Sequence, residues 1–197
     1  MAGRNNVSKA GHTQNDPKID ICTPEWFVDM VREVIGEIDL DPASNPKSKV
    51  GAKWTIIPPH HLPDLTDEEA LALGIILGDG LLFPWDGLSF YVNPPYSRTA
   101  NRPWSKKIHE EGIKRIGNGG PGGIALVPSS PGAKWFQQTY AHAAAVCFME
   151  GRLTFDGVPP NPKTGKVDPA DFESATIYYG DDVERFRKVF GKRGWIP

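Results

Sequence analysis

Short apolar segments alternate with segments of helical periodicity along this chain of 197 residues. The clearest apolar segment covers residues 90–92 (Phe-Tyr-Val) and stops at an Asn-Pro-Pro sequence, which predicts a buried strand with an abrupt end. A helical pattern begins at Pro103, and a second apolar run, residues 124–127, ends at Pro128. This alternation predicts an α/β domain of three layers, with a mixed, mostly parallel sheet.

Caps and apolar runs predict the remaining elements. Thr23 is expected to cap a first helix that has Pro24 at its first position and stops at Gly36. Thr66 with Glu69 matches a capping box for a helix that reaches about Leu77. Further strands are predicted over residues 38–40, 145–149, 153–155 and 175–179, and further helices over 132–143 and 181–190. Residues 45–65 have an irregular pattern, and residues 56–77 resemble an insertion.

The polar start of the chain differs from the rest. Residues 1–18 lack periodicity and predict a flexible N-terminal tail, whereas residues 19–197 predict a single domain. No stretch approaches about 18 consecutive apolar residues, and no apolar run follows the first basic residues. Cys22 and Cys147 stand far apart, with no zinc-ligand spacing around them. We therefore expect a cytoplasmic protein without a membrane contact or a metal.

Residues 93–96 place fixed hydrogen-bond acceptors directly after the strand at 90–92. Two consecutive prolines restrict φ and remove two backbone donors, and the residue before a proline is held extended. Asn93 adds a side-chain carbonyl to this rigid backbone, with the ring of Tyr96 beside it. A conjugated primary amine suits such acceptors, because its N–H groups can donate to Asn93 and to the Pro94 carbonyl. The alternative is an ordinary loop after a strand.

Five further segments accompany this one in a fixed order. The six are Thr23-Pro24 with Trp26, Asp39-Leu40-Asp41-Pro42-Ala43, Asp79-Gly80-Leu81 with Trp85, Asn93-Pro94-Pro95-Tyr96-Ser97, Leu126-Val127-Pro128 with Trp135-Phe136, and Gly151-Arg152-Leu153-Thr154-Phe155. Together they resemble the phage-type DNA N6-adenine methyltransferases, a compact Dam-like family. The resemblance runs from about residue 20 to about residue 180. The Asn-Pro-Pro-Tyr segment alone is less specific, because glutamine methyltransferases of release factors also use it.

This resemblance implies a Rossmann-like fold that binds S-adenosylmethionine and acts on double-stranded DNA without a separate target-recognition domain. It assigns to the cofactor Thr23, Pro24, Asp39, Asp41, Ala43 and Asp79, and to the target adenine Asn93, Pro94, Pro95 and Tyr96. Asp41 and Asp79 also fit ordinary turns. The sequence departs from the dinucleotide-binding pattern, because no Gly-x-Gly follows the first strand and no clear acid follows a second one.

An enzyme that modifies an adenine amine in DNA must take the base out of the stack. The residues expected to contact phosphates are Arg98, Arg102, Lys106 and Lys107 after the catalytic segment, and Lys163 and Lys166 in the loop 156–173. A solvated helix face and a plain surface loop explain the same charges. The net charge of −2 gives no independent reason to expect DNA binding. RNA adenine, cytosine N4 and protein glutamine stay open as alternative substrates, as does an inactive DNA-binding accessory protein.

Overall fold

The computed structural model describes residues 21–97 and 99–197. The predicted tail at 1–18 and Arg98 lie outside the described residues. Helices within the described part are α1 Glu25–Ile35, α2 Asp67–Ala72, α3 Asn101–Ile113, α4 Lys134–Gln138 and α5 Val183–Phe190, with short 3₁₀ turns at Pro59–His61 and Tyr140–His142. Its strands are β1 Leu40–Asp41, β2 Trp54–Ile57, β3 Ile75–Leu77, β4 Phe90–Val92, β5 Gly123–Pro128, β6 Ala145–Met149, β7 Ser174–Tyr179 and β8 Gly194–Trp195.

All eight of these strands belong to one sheet, in the order β3-β2-β1-β4-β5-β7-β6-β8. The first five strands in this order are mutually parallel. β7 pairs antiparallel with both β5 and β6, and β8 pairs antiparallel with β6. Six strands thus point the same way, and the predicted mixed, mostly parallel α/β sheet is confirmed. The order 3-2-1-4-5 is consistent with a Rossmann-like fold.

Each face of the sheet carries its own apolar core. Tyr91 packs on one face with residues of α1 and α5, such as Phe27 and Phe186. Phe90 and Val92, which point the opposite way in the same strand, pack on the other face with residues of α3 and α4. Buried strands with helices on both faces make three layers, as the alternation of segments in the sequence predicts.

The first helix begins one residue later than its sequence predicts. α1 begins at Glu25, with Pro24 as its N-cap, and the Thr23 hydroxyl makes no capping hydrogen bond. The carbonyl of Pro24 accepts instead from the amides of Phe27 and Val28. The predicted stop is confirmed: Gly36 has φ of 76°, a conformation that favours glycine. The Thr23 hydroxyl instead lies beside the hydroxyl of Tyr91.

Residues 45–77 hold more regular structure than their pattern predicts. The segment 56–77, which resembles an insertion in the sequence, completes β2 and supplies α2 and β3 at one edge of the sheet. The capping box is confirmed, with Thr66 and Glu69 bonded reciprocally. The helix nevertheless ends at Ala72, since the chain turns through Gly74 at φ 75° and enters β3. Four residues of β2 alone are too short to give a clear alternation.

Two predictions in the second half of the chain need correction, and one strand there is not predicted. The segment 132–143 splits into α4 and a 3₁₀ turn, and residues 153–155 form no strand. β8, at the far edge of the sheet, follows from no pattern identified in the sequence. The loop 156–173 lacks helix and strand, as predicted, apart from one bridge between Asp156 and Cys22. No helix in the described ranges is long and apolar enough to cross a membrane.

Candidate active site at the carboxyl ends of four parallel strands

A cavity of about 470 Å³ opens where β1, β2, β3 and β4 end. It is lined by Pro42 and Ala43 after β1, by Pro58 after β2, and by Asp79 after β3. Residues 93–96 line it after β4. Ligands of open α/β sheets bind outside the carboxyl ends of the strands, at the point where the strand order reverses. β1 and β4 are neighbours at that point here, so the fold places the cavity where a ligand is expected.

Gly80 brings two walls of the cavity together. A Cβ atom at this position would lie 1.9 Å from the carbonyl oxygen of Pro42 and 3.1 Å from the ring of Trp104. Only glycine therefore permits the loop after β3 to approach the loop after β1 this closely. The carbonyl of Gly80 also accepts from the Trp85 indole at 3.1 Å, which fixes the loop from behind.

Asn93 follows β4, and both ends of its side-chain amide are hydrogen-bonded. The Nδ2 atom donates to the Thr23 hydroxyl at 3.3 Å, and Oδ1 accepts from the Tyr96 hydroxyl. The Tyr96 hydroxyl also lies 2.7 Å from the Leu126 carbonyl. Burial raises the pKa of Tyr96 well above its usual value, so the phenol stays protonated and can donate. The predicted catalytic residues Asn93, Pro94, Pro95 and Tyr96 all line the cavity.

The loop 156–173 forms the wall opposite the strand ends. Its proline-rich stretch 158–162 lines the cavity together with Asp168, Asp171 and Phe172. The Phe172 ring stands edge-on to Tyr96, with centroids 5.1 Å apart. Two backbone hydrogen bonds of 2.9 and 3.0 Å between Cys22 and Asp156 fasten the start of the loop to the segment before α1. A Lys49–Asp156 ion pair at 2.9 Å adds to this attachment.

The predicted cofactor residues separate into two groups. Ala43 and Asp79 line the cavity, and Thr23, Pro24, Asp39 and Asp41 do not. Asp79 accepts from the amide of Leu81 at 2.9 Å, so it orders its turn and borders the cavity at once. Thr23 lies behind Asn93, where its hydroxyl is 2.7 Å from that of Tyr91.

Asp39 and Asp41 have structural partners. Asp39 accepts from the amide and the hydroxyl of Ser89, both at 2.9 Å, and so ties β1 to the segment before β4; its cofactor contact stays a prediction. Asp41 is only 4% exposed and accepts from the Ala43 amide and the Ser48 hydroxyl, both at 3.3 Å. It therefore orders the loop after β1 from beneath the cavity. Burial raises the pKa of Asp41 to about 6, although the hydrogen bonds from the Ala43 amide and the Ser48 hydroxyl oppose this rise.

The predicted DNA-contacting residues are spread over two elements. Arg102 and Lys106 are exposed on α3, where Lys106 pairs loosely with Glu110 at 3.7 Å. Lys107 is different: its side chain is 17% exposed and pairs with the buried Glu111 at 2.9 Å. It also lies over the Trp85 ring, so a phosphate contact would have to displace a packed ion pair, and its DNA contact stays a prediction. Lys163 and Lys166 are exposed on the loop that covers the cavity.

Several cavity residues follow from no motif in the sequence. These are Ser44 and Asn45 after β1, Ile56 in β2, His61 in the 3₁₀ turn that follows β2, Trp104 on α3 and Phe172 before β7. Strand ends predict the first four once β2 is placed, but β2 itself lacks a clear pattern. Trp104 and Phe172 reach the cavity only through tertiary packing. No group of His, Cys, Asp and Glu within residues 21–97 and 99–197 has the arrangement of a metal site.

Comparison with known proteins adds no relative. No protein-family model matches the chain, and no curated protein matches it.

Proposed function

We propose that this protein is an S-adenosylmethionine-dependent methyltransferase that modifies the exocyclic amine of adenine in double-stranded DNA. The observation that carries the proposal is the position of Asn93-Pro94-Pro95-Tyr96, which follows β4 and lines a cavity at the switch point of the sheet. A rigid pair of acceptors beside an aromatic ring, at the place where such folds bind ligands, suits a planar base with an amino group. The Rossmann-like methyltransferase fold is part of the same proposal.

The protein's own groups position the target amine. Its two N–H groups donate to Asn93 Oδ1 and to the Pro94 carbonyl. The amine thereby takes the place of the Tyr96 hydroxyl as the donor to Asn93. The nitrogen lone pair would then be withdrawn from the ring and available to the methyl group of a bound sulfonium. As the N–C bond formed, the S–C bond would break and S-adenosylhomocysteine would leave. The proton leaves to water during or after transfer, so no general base with a shifted pKa is required. Catalysis by this site is therefore mainly positioning and electrostatics.

The aromatic side chains of the cavity suit a base that has left the duplex. The Tyr96 ring borders the cavity and would stack on the base, a contact worth about 1–3 kcal/mol in other proteins. The cavity volume of about 470 Å³ lies in the range of small-molecule sites. Extrusion of the base is required because its amine is inaccessible within the duplex.

The charges around the cavity fit the cofactor. Asp79, Asp168 and Asp171 line it, whereas no lysine or arginine of the described ranges does. An acidic lining suits a ligand that carries a sulfonium and an ammonium group. Ala43, Asp79 and the close approach at Gly80 would hold this ligand, and S-adenosylmethionine supplies an electrophilic methyl group when it is bound. The basic side chains outside the cavity would bind the phosphates of the DNA.

The direct test is transfer of radiolabelled methyl from S-adenosylmethionine to unmethylated duplex DNA, followed by nucleoside analysis of the product. We expect the label in N6-methyldeoxyadenosine. Label in RNA, in N4-methylcytosine or in glutamine would keep the chemistry and replace the substrate. Binding of S-adenosylhomocysteine without transfer to any of these, or DNA binding alone, would instead indicate an inactive accessory protein.

Asn93→Ala provides the matched variant for this assay. Loss of the amide removes an acceptor aimed at the reacting amine, so we expect kcat to fall about 100-fold or more. Binding of S-adenosylhomocysteine and the melting temperature should stay near those of the wild type. Asn118→Ala is the control, because that exposed amide donates to the Lys114 carbonyl outside the cavity. Turnover near the wild-type rate in Asn93→Ala would remove the proposed mechanism.

A further inference from the structure

A chain of hydrogen bonds leads from the apolar core to the Asn93 amide. The Tyr91 hydroxyl lies 2.7 Å from Thr23 Oγ1, and Asn93 Nδ2 donates to the same oxygen at 3.3 Å. Tyr91 is fully buried and Thr23 is 4% exposed, so water does not compete for these bonds. The bonds span 68 and 70 residues of sequence, and they join the segment before α1 to β4.

This chain distinguishes the two ends of the Asn93 amide when the Thr23 hydroxyl donates its single proton to Tyr91, because Thr23 Oγ1 can then only accept. Thr23 Oγ1 accepts from the NH₂ end, which leaves the carbonyl end directed at Tyr96 and the cavity. A rotated amide would present two donors to a target amine, which is itself a donor, and the two groups would repel each other. The orientation seen in the structure is thus the one that can bind an amine.

We propose that Tyr91 and Thr23 are positioning residues that hold the Asn93 amide with its oxygen toward the target amine. The role rests on the proposed function, and it gives Thr23 a task other than cofactor contact. Tyr91 holds the Thr23 hydroxyl in place, and Thr23 in turn accepts from Asn93. Burial raises the pKa of Tyr91 well above its usual value, so its hydroxyl remains protonated throughout the working pH range.

Kinetics of hydroxyl-deletion variants test this role. Tyr91→Phe keeps the ring and removes the hydroxyl, and Thr23→Val keeps the shape and removes the acceptor. We expect each variant to lower kcat about 10-fold, because the amide then samples the unproductive orientation. KM for DNA and Kd for S-adenosylhomocysteine should change by less than about twofold, since neither residue lines the cavity. The double variant should be no slower than Thr23→Val, because both hydroxyls act through one bond.

Two controls separate positioning from a structural role. Thr23→Ser restores the acceptor and should restore kcat to within about twofold of the wild type. Tyr179→Phe removes another fully buried tyrosine hydroxyl, one with no hydrogen-bond partner in the described part of the chain, and should leave kcat unchanged. The proposal is overturned if Thr23→Ser is as slow as Thr23→Val, if Tyr179→Phe is as slow as Tyr91→Phe, or if KM rises while kcat is kept.

A second measurement does not depend on methyl transfer. In ¹⁵N-labelled protein, the side-chain amide signals of Asn93 are those missing from Asn93→Ala. We expect Tyr91→Phe and Thr23→Val to shift these signals and to speed their exchange with water, and Tyr179→Phe to leave them unchanged. Unmoved signals in both variants would overturn the positioning role. If the signals shift but the protein has no methyltransferase activity, the hydrogen-bond chain is supported and the proposed function is rejected.

Discussion

Asp41 stands at the end of β1 as a carboxylate that is almost entirely removed from water. Its oxygens accept from the Ala43 amide and the Ser48 hydroxyl, and within residues 21–97 and 99–197 no lysine or arginine forms an ion pair with it. Burial disfavours the charged form more than these bonds favour it, so the pKa of Asp41 rises to about 6. The loop beside the cavity is therefore ordered by a group that titrates near neutral pH.

The stability of the protein should depend on pH through this group. Between about pH 4 and pH 6 the folded protein keeps the Asp41 proton that the unfolded chain has released. The free energy of unfolding therefore decreases as pH rises through this window. Asp41→Asn abolishes the charge and should raise the free energy of unfolding by about 1–2 kcal/mol at pH 7.5, as measured by urea denaturation.

The increase in the free energy of unfolding caused by Asp41→Asn should become smaller as the pH falls. At about pH 4.5 the wild-type carboxyl is protonated in the folded state and resembles the amide, so at least about half of the difference should be gone. Asp64→Asn replaces an exposed aspartate and serves as the control, with an effect within about 0.5 kcal/mol at either pH. A gain from Asp41→Asn that does not change with pH would contradict the raised pKa.

At the residue scale, the sequence predicts some positions in the site and not others. Asn93 to Tyr96 were identified correctly as cavity residues, because two prolines after an apolar strand restrict the chain locally. Thr23 and Asp39 were expected beside the cofactor, yet Tyr91 and Ser89 bind their side chains from 68 and 50 residues away. Such partners depend on which strands become neighbours, and no local pattern reports that.

At the scale of elements, the loop 156–173 covers the cavity and projects its basic residues into solvent. Asn161 accepts from the amide of Lys163, its own amide donates to the Lys166 carbonyl, and its side chain donates to Asp168 at 2.7 Å. The tip of the loop is thus a closed turn, and Lys163 and Lys166 both lie on it. Its base carries Asp168 and Phe172 into the cavity. Under the proposed function, this one element would contact both a flipped base and the adjacent phosphates.

Replacement of both loop lysines should weaken DNA binding without affecting cofactor binding. Each lost phosphate contact lowers the slope of log K against log salt concentration by about 0.9, so Lys163→Ala with Lys166→Ala should lower it by about 2. Fluorescence anisotropy of a labelled duplex over a salt series measures this slope. The double variant Lys188→Ala with Lys192→Ala removes two exposed charges in and after α5 and should leave the slope unchanged. Equal slopes in the loop variant and the wild type would exclude the loop from the DNA interface.

Elements were predicted best where their signals are local. The capping box at Thr66 gave the start of α2, and apolar runs gave β4, β5 and β7. The end of α2 was missed, because Gly74 redirects the chain into an edge strand of three residues. β2 and β3 were missed as strands since each acquires its regular backbone from parallel pairing with a neighbour.

On the scale of the whole molecule, the cavity depends on how closely the strand ends converge. At Gly80 the loop after β3 packs against the loop after β1, and a methyl group there has no room beside Pro42. Gly80→Ala should therefore lower the free energy of unfolding by about 1–3 kcal/mol and weaken S-adenosylhomocysteine binding in calorimetry. Gly132→Ala is the control, because nothing lies within 4 Å of its added Cβ. Full binding by Gly80→Ala would show that this approach does not shape the ligand site.

The order of strands in the sheet also determines when the sheet can be completed during synthesis of the chain. β7 lies between β5 and β6, although it is made after both of them. Until residues 174–179 have been synthesised, β5 keeps an open edge and β6 has no strand of the sheet beside it. The cavity wall at Phe172 is completed at the same moment, because it directly precedes β7. A nascent chain thus gains the Phe172 wall of the cavity and the strand between β5 and β6 together, once residues 172–179 have been synthesised.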